Sequence, residues 1–368
     1  MPIFRILLAV TMLSITGAAF AEVRIIPQDS GVKVRLRGIS AVSADVAWAS
    51  GREGTVLRTI DGGKVWQTIK VPGAGELDFR DVEGFDAETA VILSIGSGEA
   101  SRVYRTEDAG GTWTLALQNS DPRAFFDCMV FEGKNGWMLG DPVDGRFQIY
   151  ASSDAGRSWQ LQGSGPAAAQ GEAAFAASGT CIAITGGGLI AVTGGTRARA
   201  HIKVLADEVW SATSAAEGPS GESRGYFSVA ASAANAILVG GDYKAETAAG
   251  IAAVTTQGAL HSLEQRVIEC ADSRQDNEIK TPVKRLTIKG AELITLRETL
   301  PLRGYRSGVA CAHDSSRCVV VGPSGVDSWN ENAWKPVSDA GYDAIDLAGN
   351  TGWLSGDAGR IARIEISE

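Results

Sequence analysis

Three stretches of this 368-residue chain repeat one pattern. "RTIDGGKVW" ends at Trp66, "RTEDAGGTW" at Trp113 and "ASSDAGRSW" at Trp159, so the tryptophans stand 47 and 46 residues apart. Trp210 follows 51 later, behind the degenerate turn "LADEVW". A fixed period of that length matches one unit of four short strands, and such a unit cannot bury its apolar faces alone. It has to stack on copies of itself. The chain is therefore predicted to be an all-β array of four-stranded antiparallel units.

Each period has the same internal order. A strand with a polar start comes first: "LRGISAV", "FRDVEGF", "FFDCMVF". An apolar strand follows: "AWASG", "AVILSIG", "GWMLG". A third strand then enters the Asp-turn and a fourth leaves it. Val, Ile and Leu fill the strands, Gly, Asp and Asn the turns, and helical spacing is nearly absent. Weaker units continue through "GTCIAITGG", "GYFSVAAS" and "GYRSGVACA" to "GYDAIDLAGNTGWLSGDAGRIARIEISE", which has three strands only. Its missing strand is expected from the N-terminal end, "EVRIIP" or "VKVR". Such pairing removes the open edges of the array. The expected fold is a seven-bladed β-propeller of four-stranded antiparallel blades, closed by the N-terminal strand.

Residues 1–21 read as a secretory leader: Arg5, an apolar run, then Ala19-Phe20-Ala21. The run is shorter than a membrane span needs. Residues 22–368 are then one exported domain, periplasmic or extracellular, with a charged insertion at about 264–299 containing a hairpin around Lys289-Gly290. That insertion reads either as a solvated loop or as a partner-binding arm. The net charge is −9, and loss of Arg5 with the leader makes it more negative by one. A field of that sign argues against nucleic acid as a partner. Export permits disulfides among the five cysteines. Cys311 and Cys318 flank a turn between two apolar strands and are expected to pair. Cys128 and Cys181 occupy matching places in adjacent units, where pairing requires Cα atoms within about 7 Å. Cys270 is left over. None has metal-site spacing, and His201, His261 and His313 are far apart, so no metal is expected.

The turn motif is Ser/Thr-x-Asp-x-Gly-x-x-Trp. Hydroxyl and carboxylate groups bond to turn amides, glycine supplies a positive φ, and tryptophan buries a large face. That chemistry explains every residue type in it, so Asp61, Asp108 and Asp154, with Trp66, Trp113 and Trp159, are assigned a structural role. The motif resembles the Asp-box, or BNR repeat, of sialidases and other propellers. With "FRDVEGFD", "DPVDGRF", "GGDY", "GYRSGV" and "GWLSGDAGRI", the wider pattern resembles the photosystem II assembly/stability factor family and its bacterial relatives. That resemblance implies a seven-bladed, exported or lumenal propeller that binds a protein client during assembly, without a cofactor.

Antiparallel order puts the Asp-turns on one face, and the starts of first strands and the second-to-third-strand loops on the other. That opposite face collects Arg37, Arg80, Asp81, Asp127, Tyr305, Arg306, Asp141, Asp242 and Asp357, with Glu172 ahead of the fourth unit. Charged groups converging on a narrow axial mouth form a candidate partner-binding site. The same groups also suit strand capping and bonding between blades. Two other classes remain. A sialidase-type hydrolase would draw on Arg80, Arg306, Tyr305 and Glu172, with Arg24 in "VRIIP" as a partial signature. An oxidoreductase-associated propeller has less to stand on, because "TGGGLIAVTGG" lies between strands with no helix after it.

Overall fold

The computed structural model describes residues 22–163, 165–204, 210–212, 220–231, 235–255, 296–299, 301–312, 317–329 and 333–367. The expected leader, Cys270, and residues 264–295 of the expected insertion lie outside the described residues.

Among the described residues, seven antiparallel sheets follow one another along the chain. The first holds Leu36–Ala41, Ala47–Gly51, Thr55–Thr59 and Gln67–Lys70. The second holds Asp78–Gly84, Ala90–Ile95, Arg102–Thr106 and Thr114–Gln118. Phe126–Glu132, Asn135–Val143, Arg146–Ser152 and Gln160–Gln162 make the third. The fourth runs from Ile182–Thr185 to Trp210–Ala212. The sixth runs from Gly308–Cys311 to Trp334–Ser338. In each of these the strands pair in chain order.

The fifth sheet departs from four strands. Gly221–Ala231, Ala236–Asp242 and Ile251–Thr255 are followed by Leu296–Glu298, which pairs with Ile251–Thr255. The end of the expected insertion is thus the sheet's outer strand. On the other edge the short strands Glu172–Ala173 and Gly194–Gly195 add two more. In the seventh sheet, Ala344–Ala348, Thr351–Ser355 and Ile361–Ile366 are joined by Val23–Gln28, which pairs with Ile361–Ile366 in unbroken register from Val23↔Ile366 to Gln28↔Ile361.

Polarity follows position in the sheet. Second strands such as Ala47–Gly51 and Cys318–Gly322 are buried along their whole length, which demands apolar or small residues on both faces. Fourth strands such as Gln67–Lys70 and Thr114–Gln118 are largely exposed and admit polar residues among the apolar ones. The cores lie between sheets. Trp48, Val56 and Ile69 of the first pack with Phe79, Val82 and Ile92 of the second. Leu36, Ala49 and Leu57 of the first pack with Ala344, Trp353 and Ile361 of the seventh. Ala310, Val319 and Val321 of the sixth meet Ile345, Leu354 and Ile364 of the seventh.

The three Asp-turns share one geometry. Thr59, Thr106 and Ser152 each give a hydroxyl to the turn aspartate at 2.8–2.9 Å and accept the glycine N–H four residues on at 2.9 Å. Asp61, Asp108 and Asp154 then accept the N–H of Val65, Thr112 and Ser158. Those bonds hold the Asp61 and Asp108 carboxyls below the usual range, the N–H of Val65 or Thr112 contributing most. Trp66 meets Trp353 edge to face at 6.4 Å, and Trp159 meets Phe131 at 5.5 Å. Cys311 and Cys318 form a disulfide across directly paired positions of the sixth sheet. Cys128 and Cys181 form a second between the third and fourth sheets, with Cα atoms 5.8 Å apart.

Gln28 ties the N-terminal strand to the first turn: its Oε1 accepts Trp66 Nε1–H at 3.1 Å, and its Nε2 donates to the Gly62 carbonyl at 2.9 Å. Gln28→Ala removes both bonds and strands a buried indole N–H, so it is expected to cost about 1–3 kcal/mol in urea unfolding. Arg24→Ala on the same strand, which loses only an exposed pair at 3.9 Å, is expected to change stability by less than about 1 kcal/mol. Equal effects from the two would refute this role for Gln28.

Candidate functional site

A β-bulge interrupts one strand in each of four sheets. The register skips from Leu36 to Gly38, Phe79 to Asp81, Phe126 to Cys128, and Tyr226 to Ser228. The residues passed over are Arg37, Arg80, Asp127 and Phe227. A bulge frees its extra residue from the alternation of the strand and re-aims the side chain. All four of these residues line one cavity of about 540 Å³, together with Arg35, Arg52, Asp141, Tyr243 and Tyr305.

The floor of the cavity, Ala174 to Ala177, is the first part of a segment without regular structure that runs on to Thr180. The segment bonds to residues of four sheets and to Ser307, which precedes the first strand of the sixth. Ala174 N–H donates to Asp141 Oδ1 at 3.0 Å. The carbonyls of Ala176 and Ala177 accept Arg80 Nη1 at 2.7 Å and Arg37 Nε at 3.1 Å. Ser178 Oγ donates to the Ser307 carbonyl at 2.6 Å, and Thr180 bonds Ser228 at 2.6 Å. Small residues are required here: a Cβ on Gly179, whose φ is +78°, would lie 2.3 Å from Asp81 Oδ1. Cys181 anchors the end of the segment through its bond to Cys128.

The arginines differ in how they are held. Arg35 makes two 2.7 Å bonds to Asp343, which raise its pKa further. Arg80 and Arg52 share Asp78, at 2.9 and 3.6 Å. Arg37 is nine-tenths buried and, among the described residues, pairs with no carboxylate. Burial, then the neighbouring charge of Arg80, pulls its pKa down to about 10. It remains charged at neutral pH, and its charge is offset only by a carbonyl dipole and more distant acids. The carboxyls nearby are pushed the other way. Burial lifts Asp141 to about 6. Burial and then the charge of Asp141 lift Asp127 well above the usual range, although it accepts the Ala176 N–H. Among the described residues, Asp127 Oδ2 is buried without a hydrogen-bond partner. The cavity thus sets four arginines against Asp127, Asp141, Glu246 and Asp343, and burial biases the first two of those acids toward their neutral forms.

Five of the residues expected at this mouth come together in it: Arg37, Arg80, Asp127, Asp141 and Tyr305. The others are placed elsewhere. Asp81 turns beneath the floor, where its Oδ2 accepts Met129 N–H at 2.7 Å. Glu172 is enclosed by Thr193, Arg199 and His201. Burial alone would raise its pKa, but those bonds hold it near 2. Asp242 accepts Ser223 Oγ and the Lys244 N–H. Arg306 is fully buried and pairs with Asp327, so it has a structural role rather than a place in the mouth. Asp357 lines a smaller neighbouring cavity of about 290 Å³ that shares Arg35 and Asp343 with the first.

Several lining residues were not anticipated. Arg52 stands in the loop between second and third strands of the first sheet, a position that the two-face rule already marks. Arg35 sits two residues before Arg37 and was findable by alternation. Phe175 lies in "GPAAAQGEAAFAASGTC", a run of small residues with no periodicity to place it.

No protein-family model matches the chain, and no curated protein matches it. Solved structures do. A structure of YCF48 bound to D1 peptide aligns with a TM-score of 0.56 at 12% identity, over 95% of this chain and 96% of that one. YCF48 from Cyanidioschyzon merolae aligns with 0.59 at 15%, over 94% and 99%. The WD40 β-propeller domain of Doa1 aligns with 0.59 at 10%, over 94% and 97%. These likenesses define the fold: the chain is an all-β propeller of mostly four-stranded antiparallel sheets.

Two predictions follow from the charges. The folded Asp127 carboxyl holds its proton more tightly than the unfolded one, so its contribution to stability is lost as pH rises above about 4. Asp127→Asn keeps an acceptor and removes the titration. It is expected to raise the urea midpoint at pH 8, the gain shrinking with falling pH and vanishing near pH 4; a midpoint unchanged at pH 8 would contradict this. Arg306→Ala leaves Asp327 with Arg303 alone, at 2.7 Å. It is expected to cost about 3 kcal/mol in the same assay.

Proposed function

We propose that the protein is an exported, seven-bladed Asp-box propeller whose axial mouth holds an extended segment of a partner protein. Its role is then assembly or scaffolding, of the kind that photosystem II assembly/stability factors perform. One observation carries the reading: Arg37, buried and lacking a carboxylate partner among the described residues, faces a cavity that also holds Arg35, Arg52 and Arg80. Desolvating a guanidinium without an anion is costly, and an acidic group from a partner would offset that cost.

Other features agree. The seven sheets are read as seven blades, because the first shares cores with both the second and the seventh, and Val23–Gln28 supplies the outer strand that closes the ring. The three turns bond as Asp-boxes are expected to. A similar propeller, YCF48, has been seen with a peptide. Residues 1–21 support export, to the periplasm or beyond. Among the described residues, no helix is long and apolar enough to cross a membrane. The hydrolase reading loses its geometry, since Arg306 and Glu172 are paired away from the cavity and Arg24 lies on an outer strand.

Immobilised mature protein, incubated with envelope extract of its host, is expected to retain a partner that Arg52→Ala/Arg80→Ala retains at least about tenfold less. Equal recovery by a folded double variant would remove the axial mouth as the binding site.

A further inference from the structure

The wall facing the arginines is aromatic. Phe175 stacks face to face on Phe227, with centroids 4.2 Å apart and planes 8° from parallel. Tyr305 meets Phe227 edge-on at 4.7 Å. Tyr243 stands edge-on to Phe175 at 6.0 Å and to Phe227 at 6.1 Å. Phe227 and Tyr305 are buried and form the base of this wall, whereas Phe175 is half-buried and Tyr243 keeps 42% of its surface exposed. The upper part of the cluster is thus an incomplete aromatic stack, open on the side of the cavity. A further ring or large apolar side chain laid against Phe175 and Tyr243 would complete it.

Size limits how such a group is joined to an anion. A rounded cavity of 540 Å³ is about 10 Å across, room for about three residues of extended chain at ~3.3 Å each. One occupant that touches both walls must carry its carboxylate and its large side chain within about two residues of each other. The chemistry of the two walls is distinct. The arginine side supplies guanidinium donors to an anion, while the aromatic side rewards apolar area and excludes charge.

We infer that the mouth reads a two-part signal in its partner: a carboxylate held by Arg37, Arg52 and Arg80, and, within about two residues, a large apolar or aromatic side chain against Phe175 and Tyr243. This rests on the peptide-binding reading above and adds a sequence requirement to it. The carboxylate comes either from an acidic side chain or from a chain end; the arginines read the same group in both.

Fluorescence anisotropy with fluorescein-labelled hexapeptides tests it. The probes are Gly-Ser-Gly-Ser-Ala-Phe as the free acid, the same peptide as its amide, the amide of Gly-Ser-Gly-Asp-Ala-Phe, and the free acid with Ser in place of Phe. Wild-type protein is expected to bind at least one of the two probes that carry both groups, at least about tenfold more tightly than the probe lacking either. A tenfold difference corresponds to about 1.4 kcal/mol, within reach of one buried ring. Which of the two binds reports the source of the carboxylate. Tyr243→Ala, at an exposed position, is expected to erase the preference for Phe over Ser while Tyr243→Phe keeps it. Arg52→Ala/Arg80→Ala is expected to erase the preference for acid over amide. If acids bind equally with Phe or Ser, the two-part signal is overturned while peptide binding stands. If the amide of the Ser-Ala-Phe peptide matches the acids, the carboxylate half is overturned. Binding of no probe overturns both the two-part signal and this use of the cavity.

Discussion

A four-stranded sheet that is apolar on both faces cannot stand alone in water. The second strands here, such as Ala90–Ile95 and Ala236–Asp242, are buried nearly throughout, so each sheet has to be covered on two sides. Neighbouring sheets do the covering, and the cores accordingly lie between sheets rather than within them. The same constraint makes the inner strands hostile to charge. With both faces committed to packing, an alternating strand offers a guanidinium no exit to solvent.

The bulges resolve that conflict. One extra residue near the start of the strand breaks the alternation and lets a side chain leave the sheet plane. In the first, second and third sheets the residue so placed is Arg37, Arg80 or Asp127; in the fifth it is Phe227. The cavity is thus built from one repeated backbone device with a different side chain in each copy. Arg306 shows the alternative. It is a fully buried arginine of similar sequence position, but Asp327 meets it, and its charge is spent within the fold. Arg37 is the one of the two that leaves charge to be answered from outside.

The repeat made most of the architecture readable. The period of the Asp-turns located the strands, and the count of three strands in the last unit called for a fourth from the N-terminus, which Val23–Gln28 supplies. Residue type and strand position were enough to bring Arg37, Arg80, Asp127, Asp141 and Tyr305 to one mouth. They were not enough to separate these from Asp81, Glu172 and Arg306, because partnership is settled by side chains distant in sequence. Glu172 pairs with Arg199 and hydrogen-bonds to His201, more than twenty-five residues on. The segment Ala174 to Thr180 was illegible for a different reason. It belongs to no strand, so no periodicity marks it, and its small residues are explained only by the narrow space that they fill.

That segment gives the site its character. It lies against the bulge residues Arg37 and Arg80 and against Asp141. With it, two carbonyls fix Arg37 and Arg80, an amide fixes Asp141, and Phe175 is delivered to the side of Phe227. A carbonyl carries only a dipole, so these bonds orient the two guanidiniums; Asp78 answers the charge of Arg80, while Arg37 has no carboxylate partner among the described residues. Asp127 and Asp141, two further acids of the lining, are biased by burial toward their protonated forms. The same chain segment therefore supplies the floor of the cavity, the orientation of its cations and one ring of its aromatic wall, which makes the site a property of the interrupted repeat rather than of the repeat itself.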